Sequence, residues 1–316
     1  MFFLSPPKKK VILHIGLPKT GSTALQQALY LAREDLLRQG VLYPAQVHRE
    51  EDPKHNFVLD VLRNGQGYDL GSERGYRAAS RIVISNEALS NDFYFHGFER
   101  NRQLSELMRA HGELEICMVL RREREWLRSY YKQAVINQPV KSKPHYQNSL
   151  PLAAFRELEP VRRLLDHGEL IQDVSAAFQA TVRVLRYEEA PIQQVLDYCT
   201  AIPGRTYRLG QRHNESVPDT AVEVMRQLNA QIESMDEKYS WSYLLASVCG
   251  VRHDVLSTLA SRATSDGLAA LDSRKLAELS YVQGATPGAS EQDFNQLISE
   301  LRRQLSCCGV SREKMK

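Results

Sequence analysis

Residues 16–23 read Gly-Leu-Pro-Lys-Thr-Gly-Ser-Thr, directly behind the apolar run Val11-Ile12-Leu13-His14-Ile15. A short apolar run of this kind predicts a buried strand of a parallel sheet. Gly16 and Gly21 permit a tight turn with close backbone approach. From about Thr20 the spacing of Ala24, Leu25, Ala28, Leu29 and Ala32 predicts an amphipathic helix, closed by Gly40 just beyond its end. A strand, a glycine-containing loop and a helix N-terminus bring backbone amides and a positive dipole end to one point, which favours an anion. The common nucleotide-hydrolase loop, G-x-x-x-x-G-K-[ST], has the same glycine spacing. Here Ser22 stands where its lysine belongs, Thr23 is kept, and the lysine, Lys19, lies inside the loop.

A second segment, residues 114–131, reads Leu-Glu-Ile-Cys-Met-Val-Leu-Arg-Arg-Glu-Arg-Glu-Trp-Leu-Arg-Ser-Tyr-Tyr. Ile116 to Leu120 predict another buried strand ending in Arg121, and the acidic residues from Glu123 suit the first turn of a helix. Arginine offers a planar fork for phosphate, and a serine hydroxyl adds a directional bond. Arg122, Arg124, Arg128 and Lys132 read instead as a solvated basic helix face.

Together these segments resemble the sulfotransferases that use 3′-phosphoadenosine 5′-phosphosulfate (PAPS), most closely the bacterial type. Residues 16–23 are similar to the family's 5′-phosphosulfate loop, so the resemblance assigns Gly16, Pro18, Lys19, Thr20, Gly21, Ser22 and Thr23 to the donor. Arg121 and Ser129 have the eight-residue spacing of the family's 3′-phosphate site, and Tyr130-Tyr131 follows as is usual there. Glu123 departs from the pattern, which normally has proline two residues after the arginine. Val182-Arg-Val-Leu-Arg-Tyr-Glu-Glu189 looks like a recurrent strand of the family. Arg212-His-Asn-Glu-Ser216 resembles a loop that closes over the nucleotide in bacterial members, which implicates Arg212 and Asn214. The resemblance covers roughly residues 10–220 and implies an α/β fold: a parallel sheet flanked by helices, of the phosphate-loop type, with a helical C-terminal region.

What the resemblance implies chemically is transfer of the sulfuryl group from PAPS to a hydroxyl acceptor, releasing 3′-phosphoadenosine 5′-phosphate, with no metal. In such an in-line displacement charge builds on the departing phosphate oxygen, and placed cations and amides stabilise it. Lys19 with the amides of Thr20 to Thr23 is the natural group for that task. The acceptor needs a base. Glu87, closing the predicted strand Ile82–Ser85 in Ser-Asn-Glu-Ala-Leu, is the first candidate, and a helix-capping carboxylate is its alternative role. His55 is the second candidate, while His14 and His96 read as structural. A glycan hydroxyl is the acceptor that bacterial relatives suggest; lipid, peptide and phenol hydroxyls fit the same chemistry. Two other classes stay open: a phosphate-loop kinase, which would need Mg²⁺-ATP and ignore Arg121, and a non-catalytic nucleotide-binding protein.

Composition bounds the rest. The 316 residues carry a net charge of +3, too slight to imply nucleic acid, and are 42% hydrophobic, enough for a sizeable core. No apolar run reaches the roughly 20 residues of a membrane span, and Phe2-Phe3-Leu4 precedes its lysines, so a cytoplasmic location is expected. Five cysteines form no disulfide framework, and Cys117 reads as a buried small hydrophobe. The predicted organisation is an α/β core over 1–216 and a helical extension over 217–316. In the latter, Phe294, Leu297, Ile298, Leu301 and Leu305 form a stripe that suits core packing or a homodimer surface.

Overall fold

Short apolar runs become strands in the computed structural model of the chain, which describes residues 9–47, 53–189, 192–208, 216–250, 254–279 and 290–307. Among these residues the strands are β1 (Lys10–His14), β2 (Val41–Leu42), β3 (Arg81–Ser85), β4 (Glu113–Leu120) and β5 (Thr181–Arg186). They form one all-parallel sheet in the order β2-β3-β1-β4-β5. Val11, Ile12 and Leu13 of β1 and Ile82, Val83 and Ile84 of β3 are fully buried, as strands covered on both faces must be. The edge strand β5 is half-buried at best and exposes Arg183 and Arg186, charges that discourage pairing with a second sheet.

The helix expected after the first loop is present but broken. It runs as α1 (Ser22–Leu31) and α2 (Arg33–Arg38), and Gly40 at φ 79° follows the second piece. Next come α3 (Phe57–Asn64), α4 (Ala88–Arg109, with a non-helical Gly97 inside it), α5 (Glu123–Ile136), α6 (Leu152–Arg156), α7 (Glu159–Leu165), α8 (His167–Phe178) and α9 (Ile192–Thr200). Leu25 and Leu29 of α1, with Leu196 and Cys199 of α9, pack on Ile12, Val83, Cys117 and Val119 of the sheet. α4 and α8 pack together and reach β4 and β5 respectively.

The chain divides into two compact units, and residues 127–161 group with the C-terminal region. The first comprises the described parts of Met1–Trp126 and Arg162–Gln211 and holds the whole sheet. The second comprises the described parts of Leu127–Val161 and Arg212–Lys316. Residues 127–161 join the C-terminal helices because polar ties hold them there. The Val135 carbonyl accepts from Lys238 Nζ at 3.0 Å and from Asn229 Nδ2 at 2.9 Å, and Asp219 pairs with Lys132 at 2.6 Å.

Helices α10 (Asp219–Asn229), α11 (Met235–Cys249), α12 (Asp254–Ala260), α13 (Ser265–Ala269), α14 (Ser273–Ala277) and α15 (Glu291–Cys307) complete the second unit. Ser290 and Asp293 form the capping pair of α15: the Asp293 amide donates to Ser290 Oγ at 3.1 Å, and that hydroxyl donates to Asp293 Oδ2 at 2.6 Å. Phe294, Leu297, Ile298 and Leu301 are buried, with α15 packed on α10, α11 and α14. Those four stripe residues are therefore core of their own unit, while Leu305 is half-buried. Among the described residues no helix is long and apolar enough to cross a membrane.

Candidate functional site

Because the sheet is all parallel, every strand delivers its carboxyl end to one edge, where ligands of open α/β sheets collect. β1 lies between β3 and β4, so the loop after β1 emerges flanked by the segments that carry Glu87 and Arg121. The first half of that loop stays pinned along β4: the Ile15 amide donates to the Cys117 carbonyl and the Leu17 amide to the Val119 carbonyl, both at 3.0 Å.

The second half curls. Gly16, Lys19 and Gly21 take left-handed backbone angles, φ 62°, 67° and 82°. Two side chains hold successive loop carbonyls from outside: Trp126 Nε1 donates to the Pro18 carbonyl at 2.9 Å, and Arg121 Nη1 to the Lys19 carbonyl at 3.3 Å. In a trans peptide the carbonyl and the next amide point opposite ways, so the Lys19 and Thr20 amides are turned away from those two side chains. Thr20 is itself fixed by its hydroxyl, which donates to the Leu17 carbonyl at 2.6 Å. α1 then begins at Ser22 behind Gly21, with no side-chain cap and no acidic residue in its first turn. Left-handed residues followed by an uncapped helix end form a concave set of amides suited to an anion.

Arg121 borders this curl. Its guanidinium lies over the Tyr187 ring, 5.2 Å from the centroid, and Tyr187 Cε2 comes within 3.4 Å of where a Cβ on Gly21 would stand. Among the described residues its buried Nε has no hydrogen-bond partner. An orphaned buried donor costs about 1–3 kcal/mol until an acceptor arrives, and an anionic oxygen is such an acceptor. Behind it, the Glu188 carboxylate accepts from the Arg122 amide at 2.9 Å, where it helps to start α5. Desolvation pulls that carboxyl up, but the Arg122 amide and the charges of Arg122 and Arg121 outweigh it and hold it below its ordinary value.

Glu87 stands on the other side of the loop. A Cβ on Gly16 would lie 2.9 Å from Glu87 Cβ, so the absence of a side chain at 16 is what lets the two segments touch. Glu87 occupies the N-cap position of α4, yet its side chain makes no capping bond; Asn86 Oδ1 accepts from the Ala88 amide at 3.0 Å instead. The carboxylate accepts from Gln26 Nε2 at 2.8 Å. The same Nε2 lies 3.1 Å from Ser85 Oγ, which is 2.8 Å from His14 Nδ1.

His55 does not join this group as a base. Its Nδ1 accepts from the Ser85 amide at 3.0 Å and its Nε2 donates to the Pro44 carbonyl at 3.1 Å, with the ring fully buried. Both nitrogens are committed to backbone, so His55 buttresses β3. Burial drops its pKa to about 4, although the bonds to Pro44 and Ser85 oppose the shift. Burial likewise drops His14 to about 4.

Of the other residues singled out in the sequence, Ser129 lies in α5, half-buried, and belongs to the second unit. Arg212 and Asn214 fall outside the described residues. Sequence reasoning missed Gln26, Tyr187 and Trp126. Gln26 had a signal: Leu25, Gln26 and Leu29 share one helix face, and all three are buried, so a polar residue interrupts an apolar stripe. Compared with known protein families, curated proteins and solved structures, the chain matches none.

Proposed function

We propose that the chain is a PAPS-dependent sulfotransferase acting on a hydroxyl acceptor, with a glycan hydroxyl the first class to screen. The observation that carries the reading is the pairing of a lysine-bearing, left-handed loop with Arg121, whose buried Nε lacks an acceptor among the described residues. These are donors and cations, the set a phosphate-rich donor requires. PAPS would supply an activated sulfuryl group. In the proposed step the acceptor oxygen bonds to sulfur as the sulfur–phosphate oxygen bond breaks, the acceptor's proton passes to Glu87, and 3′-phosphoadenosine 5′-phosphate departs. Lys19 and the loop amides would stabilise the charge that develops on the leaving oxygen.

Calorimetric titration with 3′-phosphoadenosine 5′-phosphate, against 5′-AMP and Mg²⁺-ATP, tests this. The expected result is selective binding of the bisphosphate that weakens about 10- to 100-fold on Arg121→Ala, the worth of a charge-assisted bond. Lys19→Ala is expected to lower turnover more than binding. Preference for Mg²⁺-ATP would point to a kinase, and no nucleotide binding at all would end the reading.

A further inference from the structure

Glu87 does not stand alone at the loop. It ends a run of hydrogen bonds through Gln26 and Ser85 to His14, and each link in that run has a determinable direction. Gln26 Nε2 carries two hydrogens and has two partners, Ser85 Oγ at 3.1 Å and Glu87 Oε2 at 2.8 Å. Turning the amide over would set its oxygen against the carboxylate, acceptor facing acceptor, so the charge of Glu87 selects the orientation. Ser85, having accepted from Gln26, sends its own hydrogen to His14 Nδ1 at 2.8 Å. His14 then carries its proton on Nε2, and burial keeps the ring neutral.

We infer that Gln26 is the positioning residue for Glu87: its amide fixes one carboxylate oxygen and leaves the other to take the acceptor's proton. This rests on the sulfotransferase reading, in which Glu87 is the base. Gln26 is fully buried, and its Oε1 has no partner among the described residues. An apolar residue on this face, beside Leu25 and Leu29, would avoid burying that unmatched oxygen. The two bonds of Nε2 are what the glutamine adds. Among the described residues Glu87 Oε2 has Gln26 as its partner and Oε1 has none.

His14 approaches from β1, with Cε1 3.8 Å from the position of a Gly16 Cβ, and His55 approaches ahead of α3 through the Ser85 amide. Both are neutral above about pH 4. Lys19 lies in the loop after β1, and Asp92 lies in α4, which starts directly behind Glu87.

The test uses Gln26→Met, which removes the donor at similar volume, and Gln26→Glu, which places a second carboxylate beside the first. Three readouts are taken in the full-length protein. They are binding of 3′-phosphoadenosine 5′-phosphate, the pH profile of kcat for sulfuryl transfer, and the ¹³C carboxyl titration of Glu87 assigned with Glu87→Gln. Bisphosphate binding should stay within about two-fold, since it draws on the other side of the loop. The acidic limb of kcat and the Glu87 titration should both move up in Gln26→Met, and further in Gln26→Glu, which sets a second carboxylate beside the first. Bisphosphate binding retained with neither curve moved in either variant would overturn the inference. A wild-type protein that binds no bisphosphate overturns the sulfotransferase reading instead, and the carboxyl titration still reads the Gln26–Glu87 linkage by itself.

Discussion

Acid should unfold the sheet-bearing unit through two histidines on either side of Ser85. His14 and His55 are buried and neutral, each with its pKa lowered from 6.5 to about 4 by burial. The unfolded chain takes up protons near pH 6.5, the folded chain only near 4. Their contribution is therefore whole above 6.5 and drains away as pH falls towards 4. A shift of that size is worth about 3 kcal/mol per histidine, of which about 2.5 kcal/mol is gone by about pH 4.5. Two such losses approach the whole stability of a typical domain, about 5–15 kcal/mol. The assay is urea unfolding at neutral and acid pH in a Trp241→Phe background, which leaves Trp126 as the sole tryptophan, reporting on the sheet-bearing unit. His55→Gln should start less stable but lose about 2.5 kcal/mol less on acidification than its parent. An unchanged acid loss in both His55→Gln and His14→Gln would refute the reasoning.

The second unit should respond in the opposite window. Burial lowers Lys238 from 10.5 to about 7, so the unfolded chain holds the extra proton between those values and stability should rise as pH climbs through them; Lys238→Met should flatten that rise in urea titrations. Trp126→Phe leaves the Pro18 carbonyl without its donor, which should cost about 1–3 kcal/mol by chemical denaturation and weaken bisphosphate binding. Gly16→Ala forces a Cβ at φ 62° to within 2.9 Å of Glu87 Cβ, so turnover should fall, with stability down by about 1–2 kcal/mol.

The strands were legible because parallel strands buried on both faces are written as apolar runs; Val11–Leu13, Ile82–Ile84 and Ile116–Leu120 needed no tertiary information. Strand ends were legible with them, which is why Glu87 and Arg121 could be placed beside the first loop. Exposure was not legible. His55 reads as a loop histidine ahead of a helix, and only the packed structure shows both its nitrogens bound to backbone. Glu87 as a helix cap and Glu87 as a carboxylate held by Gln26 have the same sequence; the Ala88 amide's bond to Asn86 Oδ1 separates them. The grouping of residues 127–161 with the C-terminal helices was not legible, because it depends on long-range ties such as Lys238 to Val135, which leave no local pattern.

Lys19 sits in the loop with a backbone angle, φ 67°, that side chains resist at roughly 1–2 kcal/mol. The residue thus carries two separable properties, an ammonium group and a kinked main chain held by neighbours. Alanine at 19 removes the first and keeps the conformational cost; glycine removes both and relaxes the turn. Comparing the two replacements splits electrostatics from loop shape, and a glycine variant more stable than alanine yet equally slow would assign the rate to the charge alone.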